Sequence, residues 1–93
     1  MAAEISVQPT NETRFEVTVR EEGSETRHVV TVEPSYAHKL AGPRASTEEL
    51  VRRSFEFLLE HEPKESILRQ FNLREIGRYF PDYETEIHGL FSR

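Results

Sequence analysis

The chain reads as an α+β domain: an antiparallel β-hairpin packed against one main capped helix and followed by short C-terminal helices. Three observations lead there. Two β-type runs flank a glycine turn between residues 14 and 33, a capping signature at Ser46 opens an amphipathic run, and apolar residues three or four apart recur between prolines after residue 62.

Arg14-Phe15-Glu16-Val17-Thr18-Val19-Arg20 alternates apolar and polar residues, and Thr26-Arg27-His28-Val29-Val30-Thr31-Val32 is rich in β-branched ones. Glu21-Glu22-Gly23-Ser24 is the turn between them. A loop with an even number of residues places Val17 opposite His28 and Phe15 opposite Val30, which gathers Phe15, Val17, Val19, Val30 and Val32 on one face. An odd loop scatters that face and is rejected. The other face then pairs Arg20 with Glu25 and Thr18 with Arg27, a polar surface for a sheet covered on one side only. Glu4-Ile5-Ser6-Val7-Gln8, ending at Pro9, is a candidate third strand at the sheet edge, within an N-terminal segment 1–13.

Ser35 is read as the cap of a short helical connector over 34–43, with Tyr36 and Leu40 four apart and Gly42-Pro43 as its stop. The main helix spans 46–62. Ser46 with Glu49 makes a capping box, and Leu50, Val51, Ser54, Phe55, Leu58 and Leu59 form the stripe that covers the hairpin. Phe57 widens this stripe, so a second element is expected on it. Within 63–91, residues Ser66 to Phe71 and Leu73 to Phe80 read as short helices, the latter capped by Asn72 with Glu75 and ended by Pro81. Tyr83, Ile87 and Leu90 line a last turn. Neither a repeat nor a linker divides the 93 residues, so a single domain over 1–93 is expected.

Composition narrows the chemistry. With six Phe and three Tyr, an apolar content of 35% is enough for one core, and the absence of cysteine removes disulfides, thiol catalysis and Cys-based metal sites. Neither a basic, apolar leader nor a run long enough to cross a bilayer is visible, so a cytoplasmic protein without membrane contact is expected. The net charge is −5 and concentrates at the N-terminal end, where seven acids face three arginines over residues 1–33. That field repels nucleic-acid phosphates.

Candidate reactive residues have structural readings. His28, His38, His61 and His88 lie ten or more apart, without metal-ligand spacing, and His28 alone falls on the core face. Ser35 and Ser46 are read as caps and Ser54 as a small residue allowing close helix packing. The four glycines stand apart, so no phosphate loop is formed, and Arg52 and Arg53 are flanked by Glu48, Glu49 and Glu56 as an ion-paired face. No catalytic residue, metal or cofactor is expected, and the chain reads as a non-enzymatic interaction or accessory module.

Tyr79-Phe80-Pro81-Asp82-Tyr83 carries more aromatic area than a short terminal segment needs, so part of it is expected to dock against the chain's own core, with an interface as the alternative. A protein partner, or a second copy in a homodimer, is expected to meet Arg74, Arg78, Tyr79, Phe80 and Tyr83, the aromatics as anchors and the arginines as rim contacts. A second reading, an antitoxin-like or RNA-associated regulator, uses Lys64, Arg69, Arg74 and Arg78 as a basic patch for phosphate or RNA, and a third, a small enzyme, needs His28 to meet Glu or Ser in a pocket.

The run from Leu50 to Leu68, LVRRSFEFLLEHEPKESIL, and the later Tyr79-Phe80-Pro81-Asp82-Tyr83-Glu84 resemble a group of small uncharacterised bacterial proteins. The resemblance implies a bacterial origin and brings no activity. A looser likeness is to HicB-type antitoxin domains, in which such a hairpin leads to a helix opened by a stretch like Thr47-Glu48-Glu49-Leu50. It implies a regulator, although Tyr36–Arg44 replaces their connector and their C-terminal DNA-binding element has no counterpart.

Overall fold

The hairpin forms in the register that its residues demand. In a computed structural model describing residues 3–43 and 45–92, β2 (Arg14–Glu21) and β3 (Ser24–Thr31) pair Val17 with His28, Phe15 with Val30 and Arg20 with Glu25. Met1, Ala2, Arg44 and Arg93 lie outside the described residues, and with Arg44 one position of the connector before the main helix. The two-residue loop has positive φ at both centres, 51° at Glu22 and 81° at Gly23, the type I′ geometry whose twist matches that of the strands. The third strand also forms: β1 (Glu4–Pro9) pairs antiparallel with β2, setting Ile5 beside Val19 and Val7 beside Val17 on the core face. Pro9 ends this outermost strand, where its missing N–H costs no ladder bond.

A fourth strand corrects the sequence reading. Residues 66–71 do not form a helix: a 3-10 turn at Lys64–Ser66 leads into extended chain, and β4 (Gln70–Asn72) joins β3 in parallel, in the order β1-β2-β3-β4. The spacing that suggested a helix, Ile67 to Phe71, is an even number of residues and serves a strand equally well. The Val29 N–H donates to the Arg69 carbonyl at 2.7 Å, and His28 Nδ1 lies 2.8 Å from the Leu68 carbonyl. A carbonyl can only accept, so His28 carries its proton on Nδ1. In the neutral ring Nε2 then accepts from the Thr26 hydroxyl, 2.9 Å away. His28 is 1% exposed, with its ring 5.4 Å from that of Phe55, so the buried imidazole has both nitrogens satisfied.

The chain between the parallel strands supplies the first two helices, as a parallel connection requires. Helix α1 (Pro34–Ala41) starts two residues earlier than expected: Glu33 holds the cap position and Pro34 the first turn, where its fixed φ is favourable, so Ser35 is not the cap. Gly42, at φ 77°, ends it. Helix α2 (Thr47–His61) starts at Ser46, whose Oγ accepts from the Glu49 N–H at 3.1 Å. The capping box is half made, because the Glu49 carboxylate turns to Arg53 Nε at 3.0 Å. Arg53 also reaches Glu56, whereas Arg52 departs from the expected ion-paired face and donates through Nη1 to the Ile5 carbonyl at 2.7 Å. That bond ties the helix to the outer strand.

The stripe of α2 covers the apolar face of the sheet: Leu50, Val51 and Phe55 are fully buried, and the Phe55 ring lies 6.0 Å from that of Phe71. The second element required by Phe57 is α4 (Tyr83–Phe91), a nine-residue helix rather than one weak turn. Phe57 meets Tyr83 at 5.3 Å and Phe80 at 5.8 Å, both edge-on. Asn72 and Glu75 make a complete capping box for a 3-10 turn at Leu73–Glu75 that continues into α3 (Ile76–Tyr79). Ser54 does more than permit close packing. Its Oγ donates to the Leu50 carbonyl at 2.8 Å, so its one proton is used and the Tyr83 hydroxyl donates to it at 2.6 Å. Burial raises the Tyr83 phenol well above its ordinary value and keeps it a neutral donor.

Two outcomes are expected. Burial lowers the His28 pKa below its ordinary 6.5, so the unfolded chain binds more protons than the folded one just below that pH. The His28 contribution is therefore level above pH ~6.5 and declines as the pH falls towards the folded-state value. Urea titrations across this range should show that decline in the wild type, and a smaller one in His28→Asn, which cannot titrate. Tyr83→Phe should lower unfolding stability by about 1 kcal/mol and Tyr83→Ala by about 3–5 kcal/mol, read from the same titrations.

Candidate functional site

The residues singled out in the sequence separate into three environments. Tyr83 is a core residue, 0% exposed and held by Ser54, so it is unable to anchor a partner. Arg74 and Arg78, four apart, share one side of the segment formed by the 3-10 turn and α3, while Tyr79 stands on another, 67% exposed. Adjacent helical residues diverge by about 100°, so arginine rim and tyrosine anchor do not form one patch.

The arginine side opens on a polar hollow of about 460 Å³ that also includes Ser35, Tyr36, Lys39 and Glu84. Its charges are largely matched. Arg74 pairs with Glu33 and lies over the Tyr36 ring, 5.6 Å from its centre; Lys39 Nζ is 3.7 Å from Glu84, whose Oε2 accepts from the Tyr36 hydroxyl at 2.7 Å. This cluster fastens α1 to α4.

The alternative basic patch is dispersed. Lys64 is buried, its ammonium 2.8 Å from Glu65 and 3.8 Å from Glu21 at the hairpin turn, and the hydrogen bond to Glu65 raises its pKa. Arg69 lies in the extended segment before β4, away from the Arg74 and Arg78 hollow. With only Arg74 and Arg78 on a common side, the four cations do not form one track for a phosphate backbone, and the ion pairing of Lys64 with Glu65 removes the first of them.

Tyr79 belongs instead to an apolar hollow of about 240 Å³. Its floor is Leu58 from α2, Ile67, Phe71 from β4 and Ile76 from α3; Phe80 closes one side. Leu68 and Tyr79 also line it, and they are two of the three large apolar side chains left exposed among the described residues, Leu68 at 49%. Exposed single leucines are ordinary; two exposed apolar residues sharing one apolar depression are not. The third, Leu90, borders a more polar groove between α2 and α4 with Glu56, Glu60 and Glu86.

Leu68 was missed in the sequence, and its exposure has a structural cause. His28 and Val29 hold the carbonyls of Leu68 and Arg69 against β3, so Ile67 is buried while Leu68 remains outside. The available signal was the pair Ile67-Leu68, because in extended chain consecutive side chains take opposite faces. Chemistry by proton transfer finds no free group at His28, both of whose nitrogens are engaged. Among the described residues, no three His, Asp or Glu side chains come together as a metal-ligand set. None of their helices is long and apolar enough to cross a membrane. No protein-family model matches the chain, and no match is found among curated proteins or solved structures.

Proposed function

We propose that the chain is a non-enzymatic protein-interaction module of the bacterial cytoplasm, and that the hollow bearing Leu68 and Tyr79 receives its partner. The observation that supports this reading is the convergence of these two exposed apolar side chains on a depression with a packed floor. Water around such a concave apolar surface is released when a partner fills it, and aromatic anchors in pockets dominate protein interfaces. Of the five residues first considered, Tyr79 and Phe80 stay in the proposed surface, joined by Leu68; Arg74, Arg78 and Tyr83 leave it.

The test is affinity capture from a lysate of the cells that make the protein, with wild-type chain and a Leu68→Asp, Tyr79→Asp double variant. Both positions are exposed, so each substitution should alter stability by no more than about 0.5 kcal/mol, which circular dichroism and thermal unfolding will verify. The wild type should retain a partner protein in high salt and the double variant should lose it. Equal capture by both folded proteins would contradict the assignment of the surface.

A further inference from the structure

The charge around the hollow identifies the kind of segment that fits it. The charged side chains that line it are Glu62 and Glu75; among the described residues no cation does. Glu62 holds the position after α2, at the negative end of that helix's dipole, where a carboxylate is unfavourably placed and attracts an external cation. Among the described residues it makes no ion pair. Glu75 accepts the Asn72 N–H through Oε2, and its other oxygen is outside that bond.

Size and charge weigh against other occupants. At about 240 Å³ the hollow is smaller than the roughly 300–1,000 Å³ of ordinary small-molecule sites, and it has room for one or two large apolar side chains. A second copy of the chain would bring a further net charge of −5 to an acidic rim, and a nucleic acid its phosphates, so both meet repulsion.

Resting on the reading of this hollow as a partner site, we infer that its occupant is an amphipathic segment of another protein that carries apolar anchors flanked by lysine or arginine. The anchors fill the space above Ile67, Phe71 and Ile76, and the flanking cations pair with Glu62 and Glu75. Apolar burial supplies most of the affinity, and the carboxylates select the sign of the flanks.

Two synthetic peptides test this, identical in their leucine and phenylalanine anchors but flanked by lysines in one and glutamates in the other. Each is titrated into isotope-labelled full-length chain while amide shifts are followed by NMR. The lysine peptide should saturate shifts centred on Leu68, Phe71, Ile76, Tyr79 and Phe80, with affinity about fivefold or more above that of the glutamate peptide. Added salt should narrow this gap, and Glu62→Lys should reduce or reverse it. Equal affinities, or preference for glutamate, with shifts still at the hollow would overturn the charge assignment and leave the interaction surface standing. Shifts at the hollow from neither peptide would overturn both.

Discussion

A single attachment across forty residues determines most of what is distinctive here: the hold of β3 on the segment 68–71. His28 and Val29 donate side by side to two consecutive carbonyls, those of Leu68 and Arg69. Without these acceptors, an imidazole nitrogen and a backbone N–H at the edge of β3 would be buried unpaired, a cost of roughly 1–3 kcal/mol each. With them, the sheet gains its parallel strand, Phe71 joins Phe55 in the core, and Leu68 is left on the outside. The apolar hollow is a by-product of this attachment, since its floor includes Ile67 and Phe71 on either side of the pinned carbonyls.

The remaining helices are organised by a second buried polar contact. Ser54 gives its proton to the backbone of α2 and receives that of Tyr83, which lets an aromatic side chain with a hydroxyl stand at the α2–α4 contact with no polar atom unsatisfied. Around it, Phe57 supports Tyr83 and Phe80, and Phe80 in turn closes the hollow. Helix α3 is therefore held at both ends, by the capping box at Asn72 before it and by Phe80, which ends it and packs on Phe57. Tyr79 is displayed from a helical turn anchored at both ends, an arrangement that lowers the ordering entropy a partner would have to offset.

Local pattern made the hairpin legible. The alternation around Phe15, Val17 and Val19 permits one register, and Glu22-Gly23 supplies a turn of matching twist. The starts of α2 and of the Asn72 turn were equally visible, because a cap and its acid lie three residues apart in the chain. What could not be read were pairings between distant segments. Ile67 and Phe71 suit a helix or a strand until β3 is beside them. Tyr79 and Tyr83 are alike in sequence, each an aromatic near Pro81, and it is the distant Ser54 and Phe57 that make Tyr83 the core residue of the two. The pairing of Lys64 with its neighbour Glu65 was open to view, but its burial beside Glu21, forty-three positions earlier, was not.

The hold of β3 on residues 68–71 is the claim on which the fold and the proposed surface both rest, and the protonation of His28 reports it directly. A long-range ¹H–¹⁵N correlation spectrum of the histidine rings at neutral pH distinguishes the two neutral tautomers and the cation. The geometry requires a proton on His28 Nδ1, donated to the Leu68 carbonyl, and burial, which lowers the pKa of the ring, favours its neutral form. A ring that carries its proton on Nε2, or that exchanges between tautomers as a solvated histidine does, would show that Leu68 is not held there and would contradict the account.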